Sequence, residues 1–243
     1  MRTKSFLLIR SVIFTFIVLF LCPGCNEKDE VVIEDSDSKA AIVFNPSITY
    51  GTLVDADGYS YKTVAIGKQV WMAENLRTTR FNDLIEIPHV TGYLTWQSHS
   101  APAYCYYDND DDYKPVYGAL YNWYAVETGK LCPIGWHVPA NAEWDTLFNF
   151  TGNNCAQLKE SGIKHWKSDS GATNETGFTA VPGGARSESA GFFGINNEVN
   201  WHSSTPGDTS ILGMHDLPTI VGGDIEWWTG PIKTGCYIRC IKD

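Results

Sequence analysis

Residues 117–150 read YGALYNWYAVETGKLCPIGWHVPANAEWDTLFNF, and this stretch decides how the rest of the chain is read. From Tyr117 to Val126, Leu120, Trp123 and Tyr124 recur at helical spacing, and Gly129 suits the end of a helix. The spacing predicts a helix over 117–126. A second helix is predicted over 141–150, where Trp144, Leu147 and Phe148 share one face and Pro139 lies just ahead. Glu143 holds the acid position of a capping box, but Ala140 has no hydroxyl to complete it, which leaves Asn141 as the alternative cap. On the N-terminal side, Thr49 to Val54 alternates weakly and runs into the turn signal Asp55-Ala56-Asp57-Gly58. Tyr59 to Ile66, the turn Gly67-Lys68 and Gln69 to Met72 complete a predicted β-meander. Arg77 to Ala103 reads as irregular, with isolated aromatics. On the C-terminal side a short helix is predicted over 154–160. Gly and Ser then punctuate short apolar pieces, Asp224 to Cys236 reads as irregular, and Tyr237 to Lys242 is a final strand. The pattern is α+β: short β-strands, two or three helices and long loops, in one domain spanning 48–243.

Composition agrees. Nine Trp, twelve Tyr and eleven Phe, with 22 Gly and 11 Pro, describe a loop-rich fold pinned by aromatic anchors. With 43% hydrophobic residues the chain supplies a real core, which rules out collagen-like, coiled-coil and wholly disordered classes. The net charge of −10 argues against nucleic acid as a partner, because phosphates need a basic face.

The N-terminus reads as an address. Arg2, Lys4 and Arg10 form a basic region, and Ser11 to Leu21 an apolar run too short to span a bilayer comfortably. Gly24-Cys25 follows, and a small residue before a cysteine at that point resembles a bacterial lipoprotein signal. The resemblance implies a signal peptide over 1–24 and a lipid on Cys25. Cys22 stands where such signals usually carry Leu, with Leu21 one place further out. Lys28-Asp29-Glu30 is similar to the surface-export signal of Bacteroidetes lipoproteins, and residues 25–47 read as a flexible acidic tether. The expected location is the outer membrane, lipid-anchored and cell-surface exposed. Losing the three basic residues of the signal leaves the remainder still more acidic, so lipid rather than charge would hold it there.

Several stretches then read together: Gln69 to Leu76 (QVWMAENL), Tyr106 to Asp110 (YYDND), Tyr117 to Trp123, Cys132 to Pro139, Asn174 to Phe178 (NETGF), Pro182 to Arg186 (PGGAR) and Arg239 to Asp243 (RCIKD). In this order they resemble the Fibrobacter succinogenes major paralogous domain, over about 55–243. The resemblance implies an irregular α+β fold related to C-type-lectin-like domains and to formylglycine-generating enzymes. The family's role is largely unassigned. One departure is Asn200-Trp201-His202-Ser203-Ser204, where the family usually carries a Trp-Trp-Ser-Ser type segment.

With Cys22 in the signal and Cys25 assigned to lipid, five cysteines remain. Cys132 and Cys240 both sit in the family motifs, and their pairing is expected on that ground. Cys105 with Cys236 is the second pairing considered, leaving Cys155 free. Cys236 and Cys240 lack the companion ligands of a zinc site.

Candidate chemistry is sparse. Asp108, Asp110 and Asp112 form an acidic cluster, and a calcium ion takes six to eight oxygen ligands, so these are the candidate metal ligands, although the EF-hand pattern is absent. His137 reads as a structural histidine bonded to backbone. Trp201-His202-Ser203-Ser204 carries no nucleophile elbow. The segment after Gly183-Gly184 holds no cysteine, whereas formylglycine-generating enzymes place their active pair there. Trp71, Trp123, Trp136 and Trp144 are expected in the core. Trp96, Trp166, Trp201, Trp227 and Trp228 are the candidate stacking platforms, with Trp227 and Trp228 the expected ligand-binding pair. Together these imply a non-catalytic binding or adhesion protein for a glycan or a surface protein. The alternatives are an extracellular enzyme on polysaccharide or protein, and a structural component of a surface assembly.

Overall fold

The computed structural model describes residues 39–168, 171–189, 191–207 and 214–243. Cys25, the expected signal peptide and most of the expected tether lie outside the described residues.

The meander forms as read: β1 (Gly51–Val54), β2 (Ser60–Ile66) and β3 (Gln69–Met72) pair antiparallel in sequence order. Its first turn is tied by Asp55, whose carboxylate accepts the N–H groups of Asp57 and Tyr59 at 3.0 and 2.9 Å. Gly58 takes φ +84°, a conformation glycine adopts without strain. The chain continues through helix α1 (Tyr93–Ser98), β4 (Tyr104–Cys105), α2 (Lys114–Tyr117), β5 (Leu120–Tyr121), α3 (Trp123–Glu127), β6 (Trp136–His137) and α4 (Asn141–Phe150). Five further strands are β7 (Gly183–Ser187), β8 (Gly191–Ile195), β9 (Glu198–Asn200), β10 (Met214–Val221) and β11 (Asp224–Pro231), and β12 (Ile241–Lys242) ends the chain. One sheet has the order β1-β2-β3-β12-β6, a second β11-β10-β9-β7-β8, and β4 pairs with β5. The architecture is mixed α+β, mostly sheet with few helices.

Ile241 lies opposite both Trp71 of β3 and His137 of β6, so the C-terminus closes the first sheet. That return brings Cys240 against Cys132, and the two form the expected disulfide, with Cα atoms 5.9 Å apart across 108 residues of chain.

Several readings change, among them the final strand, which is only Ile241–Lys242. The helix over 117–126 is interrupted, because Gly118 sits at φ +84° with backbone so close that a Cβ would lie 2.7 Å from the Leu76 carbonyl. Leu120 and Tyr121 instead pair with Cys105 and Tyr104, and Tyr121 also bridges Cys236. Helix resumes only after Asn122, whose side chain caps α3 by accepting the Ala125 N–H. Asp224–Cys236 is not irregular throughout: β10 and β11 pair over eight residues each. Pro218 and the adjacent Trp227 and Trp228 had masked the alternation. The stretch 77–103 contains α1, and the helix over 154–160 is a single 3-10 turn, Cys155–Gln157, capped by Asn154. α4 has the predicted bounds. Its cap is Ala140, whose N–H donates to the Glu143 carboxylate at 2.8 Å, so Asn141 is the first helical residue rather than the cap.

The last residues read as tether are docked. Ile42, Phe44, Ile48 and Tyr50 pack against the core. Glu160 and His165, both fully buried, hold the segment: the Glu160 carboxylate accepts the Val43 N–H at 2.5 Å, and His165 Nε2 lies 2.9 Å from the Ala40 carbonyl. The docked strap therefore begins at about Ala40.

The core is aromatic. Trp144 packs on Trp71 at 4.9 Å and stacks on Trp201 at 5.3 Å, with Phe178 edge-on to all three rings. Trp96, Trp166 and Trp201, considered above as sugar platforms, are buried, whereas Trp123 and Trp136 are only half-buried.

Candidate functional site

The second sheet carries the groove. β10 and β11 are joined by Gly222-Gly223, with Gly222 at φ +56°, and this turn is fastened to the domain. The Cys155 thiol donates to the Gly223 carbonyl, and the Lys159 ammonium to the Gly222 carbonyl, each at 2.8 Å. The register sets Trp228 opposite Leu217 and Trp227 opposite Pro218. Successive side chains on a strand point to opposite faces, and the two tryptophans obey this. Trp227 packs edge-on against Phe148 of α4, with ring centroids 6.1 Å apart. Trp228 faces the other way, and its indole N–H donates to the Glu226 carboxylate.

Trp228 lines a groove of about 190 Å³, together with Phe193 of β8, Leu217, Asn200, Pro231 and Thr234. β8 and β11 are the two outermost strands of the sheet, so the aromatic rings stand at its two margins. Both rings are exposed, Trp228 at 44% and Phe193 at 39%. Asn200 is held from both sides: its amide donates to Glu198 at 3.1 Å and its carbonyl accepts the Thr219 hydroxyl at 2.9 Å. Pockets for drug-sized ligands run to roughly 300–1,000 Å³. This groove is smaller and suits one ring-sized unit of a longer molecule.

The other candidate residues lie elsewhere. Asp110 and Asp112 share the Lys39 ammonium at 2.6 and 3.1 Å, which holds the Asp110 carboxyl below its ordinary range. Asp110 also caps the 3-10 turn Asp111–Tyr113. Asp108 sits in the preceding turn at φ +51°. Among the described residues no three His, Cys, Asp or Glu side chains are grouped to hold a metal ion. Asp110 and Asp112 thus converge on one ammonium, with Asp108 in the turn before them.

Cys105 and Cys236 are free and buried, which corrects the second pairing. Cys105 pairs with Leu120 of β5 and Cys236 with Tyr121 on the other side of the same strand. Two strand spacings, roughly 9–10 Å, exceed the Cα separation a disulfide spans. Cys155 is also free and buried. Burial pushes the Cys105 thiol up to about 11, despite the Arg186 guanidinium beside it. His137 bonds two carboxylates rather than backbone: Nδ1 lies 2.6 Å from Asp243, and Nε2 2.9 Å from Glu143.

Phe193, Leu217 and Thr234 had not been singled out in the sequence. No local pattern marks them, because sheet pairing across strands far apart in the chain brings them together. Trp228 alone was legible, as an aromatic in a stretch without clear alternation.

No curated protein matches the chain, and no solved structure does. The sequence profile of the Fibrobacter succinogenes major domain matches residues 64–242. That span contains both strand pairs that hold the groove, the disulfide and the quoted motifs apart from the final Asp243, and on it this chain belongs to the Fibrobacter succinogenes major domain family.

Proposed function

We propose that this chain is an exported, lipid-anchored surface protein whose domain, of C-type-lectin-like or formylglycine-generating-enzyme-like character, binds glycan without catalysis in the groove beside Trp228. One observation carries the binding reading: two exposed aromatic rings, Trp228 and Phe193, flank a small groove that also presents Asn200 and Thr234. The apolar face of a pyranose packs on an aromatic ring, while its hydroxyls need hydrogen-bonding groups, and the groove supplies both. The location rests on the lipoprotein-like signal ending at Cys25. No helix among the described residues is long and apolar enough to cross a membrane.

The test is a glycan-panel assay on the full chain in detergent, with calcium and with chelator. Binding that survives chelation and falls at least tenfold in Trp228→Ala, but not in Trp227→Ala, supports the reading. Calcium-dependent binding would return attention to Asp108, Asp110 and Asp112. Absence of binding in both conditions removes the glycan reading in favour of a protein ligand. Labelled palmitate should enter the wild-type protein and not Cys25→Ala; equal labelling of the two would remove the anchor from the proposal.

A further inference from the structure

Two buried polar side chains line the space between Trp228 and Phe193. Thr234 is only 6% exposed, and among the described residues nothing bonds its hydroxyl. Folded chains leave few buried hydroxyls without a partner, because each one is costly. The residue is fixed by its own N–H, which donates to the Pro231 carbonyl at 2.8 Å and closes the turn after β11. A Cβ at Gly230 would lie 2.8 Å from the Leu217 side chain and 3.5 Å from the Thr234 hydroxyl oxygen, so the bare glycine leaves that hydroxyl open to the groove. Asn200 is 2% exposed and pinned between Glu198 and Thr219. Those two bonds fix the sense of its amide and leave one donor hydrogen and one acceptor lone pair. Sugar hydroxyls both donate and accept, and they match these groups.

Charge decides which sugars fit. Among the described residues no lysine or arginine lines the groove. The two basic residues adjacent in sequence to lining residues are committed elsewhere. Arg186 donates to the carbonyls of Val90 and Thr91 at 2.9 Å each, and Lys233 to the Gln97 carbonyl at 2.8 Å. Carboxylates, in contrast, bond the lining directly. Glu226 accepts the Trp228 indole N–H, and the buried Glu198 accepts from Asn200. Residues 208–213, outside the described residues, read DTSILG and contain an acid and no base. An anionic sugar entering here would give up water for an uncharged wall backed by two carboxylates, with no cation to offset the loss.

Resting on the glycan reading above, we propose that the groove selects a neutral pyranose unit over acidic sugars, and that Thr234 and Asn200 are the polar contacts that set this specificity. The C–H face of the sugar packs on Trp228, and its hydroxyls bond Thr234 and the uncommitted groups of Asn200.

The full chain in detergent is titrated with oligosaccharides matched in size and differing in charge: galactotriose against trigalacturonate, and N-acetyllactosamine against its sialylated and sulfated forms. His215 pairs with Gly230 in the same ladder, so the titration is run at pH 8, where a histidine is ordinarily uncharged. Saturable binding of a neutral member is expected, with its acidic counterpart at least tenfold weaker. Thr234→Val keeps the side-chain shape and should weaken the neutral sugar at least fivefold at an unchanged melting temperature. Glu226→Gln keeps an acceptor for the indole and removes the charge. At low ionic strength it should narrow the gap between the two sugars at least twofold, and salt should erase that gain. Glu226 lies at the surface, so this variant tests the charge even where Thr234→Val perturbs folding. An acidic sugar that binds as tightly as its neutral counterpart overturns the proposal and leaves the glycan reading standing. Wild-type affinity in a folded Thr234→Val protein, or an unchanged gap in Glu226→Gln, also overturns it. Should no sugar of either kind bind, the glycan reading falls and the selectivity falls with it.

Discussion

Arg239 shows how single residues organise this domain. It is fully buried, and burial draws its pKa down to about 9. Oxygens take the place of water: Asn75 Oδ1 at 2.7 Å and the carbonyls of Met72, Phe178 and Thr179 at 3.1, 2.7 and 2.9 Å. Asn75 Oδ1 also accepts the Trp201 indole N–H at 3.0 Å, and the Asn75 amide donates to the Tyr117 carbonyl at 2.7 Å. One amide thus joins the loop after β3, the end of α2, the Trp201 indole and the C-terminal segment. Leaving a buried donor unsatisfied costs about 1–3 kcal/mol. Asn75→Ala strips an acceptor from two such donors and should lose at least about 2 kcal/mol in urea unfolding; a change below that would mean the donors find other partners. His137 supplies a pH dependence. Burial works against its charge, yet Asp243 and Glu143 outweigh it and raise its pKa above the ordinary 6.5. A raised folded-state pKa gives stability that is fully present below the unfolded value and is lost as pH rises through the folded value. The stability gap between wild type and His137→Gln should therefore be larger at pH 5.5 than at pH 9. An equal gap at both would show that the two carboxylates do not hold the imidazolium.

At the scale of elements, pairing overrides local preference. Helical spacing continues through Ala119 to Asn122, yet the close approach at Gly118 and the partners Tyr104, Cys105 and Cys236 make Leu120–Tyr121 a strand. The strap from Ala40 to Tyr50 is another tertiary product. It has no regular structure over 40–45, and its order comes from Ile42 and Phe44 against the core and from the Glu160–His165 pair beneath. Leaving one partner of a buried hydrogen-bonded pair unsatisfied costs about 1–3 kcal/mol. In Glu160→Ala the amide of Val43 should exchange faster with solvent and overall stability should fall by at least about 1 kcal/mol. Unchanged exchange at Val43 would show that apolar contacts alone hold the strap. The β10–β11 hairpin escaped pattern reading for a related reason: both faces of its outer strand are partly covered, one by Phe148 and one by the groove, so polarity does not alternate.

For the whole molecule, the disulfide and the free thiols make the clearest statements. Cys132–Cys240 ties the first sheet across 108 residues of chain, and the chain-entropy account puts closure of such a loop at about 4–5 kcal/mol. The double serine variant should lose a stability of that order in urea, while retaining the native far-ultraviolet spectrum below its midpoint. A loss under about 1 kcal/mol would mean the sheet closes as well without the link. Cys105, Cys155 and Cys236 are buried in the folded state, and burial raises all three thiols. Mass-mapped maleimide labelling of these three should be slow in buffer and complete in denaturant. Fast labelling of any one would reveal local opening at that position.

What the sequence by itself determined follows from short-range physics and from linear motifs. The meander, α4, the Asp55 turn and the family assignment needed only alternation, helical spacing, turn chemistry and the order of quoted stretches. What only the tertiary structure decided depends on residues far apart in the chain. The separation of Trp227 from Trp228 onto opposite faces required knowing that they share a strand. The meeting of Trp228 with Phe193 required β8 and β11 to be the margins of one sheet. The meeting of Asp110 and Asp112 on one ammonium turned on Lys39, about seventy residues upstream. Binding surfaces form where side chains converge in space, and convergence is set by pairing register and loop closure, which no local window of sequence contains.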